Sequence, residues 1–216
     1  MAQLVPSILE SSREDFWAVY AQEIKLPGVS RIQVDFGDGV FVPNRMLPVS
    51  ELDVLSPAVD WEAHLMLQAP LDFLDYQICG FKTIIIHYEA YSSAAEVGRA
   101  LAAIAAVGLQ PALCIKNETP VEVLPEFAGQ TSHFQLMSVK PGFQGTPFLE
   151  NTYGRIAALR RLLPNAIIEV DGGVKLENIR QLAASGADYL ILGSSITKAP
   201  SMPEAFQRLQ DELVKA

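Results

Sequence analysis

Residues 166–195 read AIIEVDGGVKLENIRQLAASGADYLILGSS. Two nearly continuous apolar runs, Ala166–Val170 and Tyr189–Leu192, flank a helix-like segment that Ser185-Gly186-Ala187 brings to an end. Runs without polar alternation suit strands of a parallel sheet that is covered on both faces. Each run is followed by small polar residues: Asp171-Gly172-Gly173 after the first and Gly193-Ser194-Ser195 after the second. The stretch therefore reads as a βα unit leading into another strand, with its chemistry gathered at the strands' C-terminal ends.

Working outward, the same unit recurs along the chain. The remaining candidate strands are Leu4–Leu9, Arg31–Phe36, Asp60–Leu65, Thr83–His87, Gln110–Ile115 and His133–Val139. Helical spacing of apolar residues marks Ser92–Val107 and Phe148–Leu163, with Gly108 and Pro164 as stop signals. Eight strands alternating with helices in 216 residues predict an α/β fold. Two architectures meet that description, an open doubly wound sheet and a closed (β/α)8 barrel, and the strand count favours the barrel. Half of the residues are hydrophobic, enough for one large core. Without a linker or low-complexity segment, a single domain over residues 1–216 is expected.

The net charge of −9 argues against a nucleic-acid partner, which calls for a basic face. It leaves room for a phosphorylated ligand, because backbone N–H groups at helix N-termini bind a phosphate without side-chain charge. No apolar run reaches the ~18 residues of a membrane span, and the opening MAQLVPSILESSRED lacks a basic leader region. Cys79 and Cys114 are far apart and form neither a disulfide framework nor a metal knuckle. The expectation is a cytoplasmic protein with no membrane partner.

In such a barrel the active residues collect at the C-terminal strand ends and in the loops that follow. Gln33 and Asp35 lie two apart on one face of the second strand, His64 ends the third, and Asp171 follows the seventh. Carboxylates after apolar runs are costly unless paired or bound to a cation. Asp35, His64 and Asp171 together offer metal-capable atoms from three separate strands. His87 reads equally well as a structural hydrogen-bonding residue, and Glu89 as a loop acid. His133 opens its strand, at the end away from the active face. Three glycine-bearing loops, Pro141–Gly145, Asp171–Gly173 and Gly193–Ser195, follow successive strands, where these barrels often hold phosphate.

These residues, in this order, resemble the ribulose-phosphate 3-epimerase family. The resemblance is carried by Pro6-Ser7-Ile8-Leu9, the segment Asp35 to Asn44 (DFGDGVFVPN), His64-Leu65-Met66 and His87-Tyr88-Glu89-Ala90. It continues through Met137 to Gly145 (MSVKPGFQG), Glu169-Val170-Asp171-Gly172-Gly173 and Gly193-Ser194-Ser195-Ile196. It spans nearly the whole chain. The resemblance implies a (β/α)8 TIM barrel, a phosphorylated sugar substrate, a homo-oligomer, and one divalent metal ion, drawn from Zn, Fe, Mn or Mg. By position, Asp35 and Asp171 would exchange protons with opposite faces of one carbon through a cis-enediolate. Asp35, His64 and Asp171 would ligate the metal, with Gln33 where the family has a histidine. Ser7 and His64 would contact substrate. Gly142, Phe143, Gln144, Gly145, Gly172, Gly173, Gly193 and Ser194 would hold the phosphate, and Met66 and Met137 would line the site.

Three departures stand out. Gln33 replaces an imidazole ligand with a weaker amide donor. Gly37 replaces a family methionine and removes bulk above the reacting carbon. Gln144 adds a side chain to the phosphate loop. The expected reaction is 3-epimerisation of ribulose 5-phosphate and xylulose 5-phosphate. The alternatives are an epimerase of a larger hexulose phosphate and a barrel that binds sugar phosphates without catalysis.

Overall fold

The computed structural model describes residues 2–141 and 145–215. Eight parallel strands close into a barrel in sequence order: β1 Gln3–Ile8, β2 Arg31–Gly37, β3 Asp60–Met66, β4 Phe81–His87, β5 Gln110–Ile115, β6 His133–Met137, β7 Ile167–Asp171 and β8 Tyr189–Leu192. Closure is made by β1 and β8, which pair from Gln3↔Tyr189 to Pro6↔Leu192. The open doubly wound alternative is thereby excluded, and every expected strand is present within a few residues.

Among the described residues, seven helices lie between and after the strands: α1 Arg13–Glu23, α2 Leu74–Cys79, α3 Ala94–Ala106, α4 Thr152–Leu162, α5 Ile179–Ala184, α6 Ser194–Thr197 and α7 Met202–Leu213. The connections after β2 and β5 carry only 3-10 segments, Val49–Glu51 and Val121–Phe127. Both run through proline-bearing sequence, with Pro43, Pro48 and Pro57 in one and Pro120 and Pro125 in the other, and proline denies a helix interior its N–H donor. Helix α3 starts at a reciprocal cap. Ser93 Oγ accepts from the Glu96 N–H, and Glu96 Oε2 accepts from the Ser92 N–H. Helix α4 begins four residues later than its apolar spacing predicts, because the Leu149 N–H is drawn to the Ser138 carbonyl at 2.9 Å and holds that stretch as a loop.

Alternation along the strands separates two interiors. Ile32, Val34 and Phe36 of β2 join Ile84 and Ile86 of β4 and Phe134 and Leu136 of β6 in the main core under the helices, with Phe16, Val97 and Ile156. The residues between them face the barrel axis. There the apolar cluster is small, Ile85, Ala112, Cys114, Met137 and Val139. Much of the rest is polar and buried: Gln33, Asp35, Glu62, His64, Thr83, His87, His133, Gln135 and Glu169. The barrel axis is thus a column of polar groups that must satisfy one another.

Candidate active site

The column is layered. At the N-terminal end, Arg31 pairs with Glu62, and His133 Nε2 lies 3.0 Å from Glu169 Oε2. Burial pushes Glu62 up to about 8 and Glu169 to about 7, and it pulls His133 down. His133 is therefore a base-of-barrel residue, as its place at a strand start implies.

At the C-terminal end, register sets Asp35 beside His64 and Met137 beside Asp171. His64 Nδ1 is 2.8 Å from Asp35 Oδ1 and 3.1 Å from Asp171 Oδ2, so one imidazole joins the two carboxylates. Burial raises Asp35, and the nearby Asp171 charge raises it further, while hydrogen bonds from His64 and Gln33 oppose the shift. Burial disfavours charge on His64, but its hydrogen bonds with Asp171 and Asp35 outweigh that and hold its pKa well above the ordinary value. Behind it, His87 Nε2 lies 2.9 Å from His64 Nε2, and burial pulls His87 down to about 4. Glu89 accepts from the Lys116 N–H and from Thr119 Oγ, so it fixes the loop after β5. His87 and Glu89 are supports behind the site.

Asp35, His64 and Asp171 form a candidate ligand group for a cation. Gln33 completes the cluster with its nitrogen. Gln33 Nε2 lies 2.9 Å from Asp35 Oδ1, 3.0 Å from Asp171 Oδ2 and 3.4 Å from His64 Nδ1. Its oxygen turns the other way and accepts from Gln135 Nε2 at 2.7 Å. The sequence reading passed over Gln135. The signal was parity: Gln135 lies two residues before Met137 on β6 and shares its face.

A cavity opens above these groups, lined by Ser7, Asp35, His64, Met66, Met137, Asp171, Gly172, Gly173, Gly193 and Ser194, all expected on sequence grounds, and by Gly145 at its rim. Gly142, Phe143 and Gln144 lie outside the described residues. Lys175 and Thr146 also line the cavity and were not foreseen; Ser195, from the expected Gly193–Ser195 loop, lines it too, and its Oγ is buried without a hydrogen-bond partner. Gly172 holds φ +107°, and a Cβ there would meet Val139 Cγ2 at 2.2 Å. The bulk expected to be missing at Gly37 is supplied from elsewhere. A Cβ on Gly37 would meet Met46 Sδ at 2.2 Å, and Met46 is buried with Val42 and Met66. The next loop thus returns a thioether to this place, which removes the extra room that motivated a larger sugar.

The sequence model of the ribulose-phosphate 3-epimerase family matches residues 3–197. The chain belongs to the ribulose-phosphate 3-epimerase family. Relatives in this family of isomerases include the ribulose-phosphate 3-epimerase of Chlamydia pneumoniae, 33% identical over 85% of this chain and 83% of the relative. That of Aquifex aeolicus is 28% identical over 100% of this chain and 99% of the relative. Among solved structures, the 3-hexulose-6-phosphate synthase of Salmonella typhimurium superposes with a TM-score of 0.71 at 15% identity, covering 99% of both chains. Orotidine 5'-phosphate decarboxylase of Pyrococcus horikoshii gives 0.63 at 17%, covering 98% of this chain and 99% of that one. At such identity these two speak for the fold alone. No helix among the described residues is long and apolar enough to cross a membrane.

Proposed function

We propose that the protein inverts C3 of a ketose phosphate, interconverting D-ribulose 5-phosphate and D-xylulose 5-phosphate. The observation that carries this reading is the pair Asp35 and Asp171, joined by one imidazole and one amide at the mouth of a family barrel. In one direction Asp35 takes the proton from C3. The C–H pair moves into the C2–C3 bond as the C2 carbonyl oxygen gains charge, giving a cis-enediolate. Asp171 then delivers a proton to the opposite face of C3, and the carbonyl reforms. The reverse reaction exchanges the two roles. The base must be ionised and the acid protonated, and burial, by raising the pKa of Asp35, favours its holding the proton it has taken.

The phosphate would lie against the turns at Gly172-Gly173 and Gly193-Ser194, with Ser195 Oγ as a free donor and Lys175 nearby. Met66 and Met137 would cover the planar intermediate, and Ser7 would meet the sugar.

The family resemblance adds a divalent cation that polarises the carbonyl. Asp35, His64 and Asp171 would supply three ligands to it. The fourth atom of the cluster, Gln33 Nε2, is an amide nitrogen with no lone pair to give, and its hydrogens point toward the carboxylates. As they stand, these residues do not fit a cation, and no step above passes through one. Self-association into a homo-oligomer belongs to the same proposal.

The test is incubation with ribulose 5-phosphate in D2O. Deuterium at C3 of both epimers is expected. Its absence, with and without added Mg, Mn, Zn or Fe, would sink the reading.

A further inference from the structure

We infer that the Gln33 carboxamide, oriented by Gln135, replaces a divalent cation as the bridge between Asp35 and Asp171, so that the proton transfers run without a metal. This rests on the epimerase reading above, and it concerns how this chain, with its own residues, holds that pair of carboxylates.

Three observations meet here. Gln33 Nε2 reaches both carboxylates, at 2.9 and 3.0 Å, so its two N–H bonds serve one aspartate each. Gln33 Oε1 is taken by Gln135 Nε2 at 2.7 Å, which fixes the nitrogen end toward the aspartates. Turning Gln33 alone would set its oxygen against two carboxylates and its nitrogen against the Gln135 nitrogen. Turning both amides would bring the Gln135 nitrogen to where its Oε1 now lies, a buried place where that oxygen has no partner. The donor orientation thus satisfies both ends of the Gln33 amide and leaves Gln135 Oε1 as the unpaired atom.

The bridge does what the pair requires. Two carboxyl groups held close repel whenever both are ionised, and a donor between them eases that repulsion and fixes their spacing, so that the proton can pass from one role to the other. Amide donors offset it while leaving Asp35 Oδ2 and Asp171 Oδ1 without hydrogen bonds among the described residues, available to the reacting carbon. Gln33 and Gln135 are positioning residues. They hold the carboxylates and need not touch the sugar.

The experiment uses the full chain, stripped with a chelator and dialysed. Metal content and Mn2+ and Zn2+ titrations are measured for wild type and Gln33→His, alongside C3 deuterium exchange with and without EDTA. Wild type is expected to carry no stoichiometric metal and to exchange at the same rate in EDTA. Gln33→His should bind one cation, more tightly than wild type by at least the roughly 10- to 100-fold that even an outer-shell partner is worth. Gln135→Leu should lower kcat with KM held, since it releases the amide but leaves the cavity rim intact. A stoichiometric cation in wild type, or exchange that EDTA abolishes and Mn2+ or Zn2+ restores, would overturn the inference. If no variant exchanges deuterium under any condition, the epimerase reading fails. The bridge is then decided by the titrations alone: it stands if only Gln33→His binds a cation and falls if wild type binds equally.

Discussion

Replacing Gly172 with alanine tests how tightly the seventh strand's turn is built into the site. The residue sits at φ +107°, where side chains are strained, and its new Cβ would lie 2.2 Å from Val139 Cγ2, 2.9 Å from Cγ1 and 3.0 Å from Cβ. Val139 is buried and borders the cavity above the site, so any shift that relieves the contact carries it into the space the ligand would fill. The backbone conformation costs about 1–3 kcal/mol for a non-glycine residue. Forcing a methyl into a filled space costs about 1–3 kcal/mol more. The sum is roughly 2–6 kcal/mol, on the order of 5–20 °C in Tm for a chain of this length. Urea denaturation of Gly172→Ala, alone and with Val139→Ala, separates the two contributions. In the Val139→Ala background the contacts with Cγ1 and Cγ2 are gone and only the 3.0 Å contact with Cβ stays, so most of the steric share should be relieved, leaving chiefly the backbone share of about 1–3 kcal/mol. Because Ser138 Oγ donates to the Asp171 and Gly172 carbonyls, displacement of this turn also moves Asp171. Turnover should fall and the KM for the sugar phosphate should rise. A loss under about 1 kcal/mol with kinetics unchanged would refute both the strain and the role of the turn.

Asp35→Asn and Asp171→Asn should each slow C3 exchange by about 10²–10⁴-fold, the range for losing one positioned acid or base; a variant that keeps full exchange excludes its residue from proton transfer. Ser195→Ala and Lys175→Ala should raise KM for ribulose 5-phosphate and weaken inhibition by inorganic phosphate, leaving kcat nearly unchanged; a kcat effect without a KM effect would remove them from phosphate binding. Burial raises Glu62 to about 8 and Glu169 to about 7 from an ordinary 4.5. A raised folded-state value means that their contribution to stability is complete below pH 4.5 and is lost as pH climbs through about 7 to 8. Urea midpoints should therefore decline between pH 5 and pH 8 and decline less in Glu62→Gln; equal slopes in the two proteins would show that Glu62 does not titrate in that window.

The strands were legible because the two faces of each differ. On β2 the outward Ile32, Val34 and Phe36 give an apolar run, while Gln33 and Asp35 between them betray an inward face that is not ordinary core. Asp35, His64 and Asp171 could be grouped because each stands at the C-terminal end of its strand, and the barrel brings those ends together. What stayed hidden depended on long-range packing. Met46 fills the space over Gly37 from nine residues away, and no local spacing announces that. Gln135 looked like one polar residue in a short strand, because its partner Gln33 lies 102 residues earlier.

The two glutamines make sense only as a pair. An amide at position 33 facing the aspartates leaves an oxygen pointing into the barrel interior, where Gln33 is fully buried. Left alone, that buried oxygen would cost about 1–3 kcal/mol. Gln135 Nε2 satisfies it and also lies 3.4 Å from Asp171 Oδ2. Conversely, Gln135 without Gln33 would keep only that longer contact and bury most of its amide unpaired. Below them Arg31 pairs with Glu62 and His133 with Glu169, and no hydrogen bond joins that layer to the amide pair among the described residues. The pair's hydrogen bonds run upward to the carboxylates, so the chemistry of the mouth is set one layer below it, by residues that the substrate need never reach.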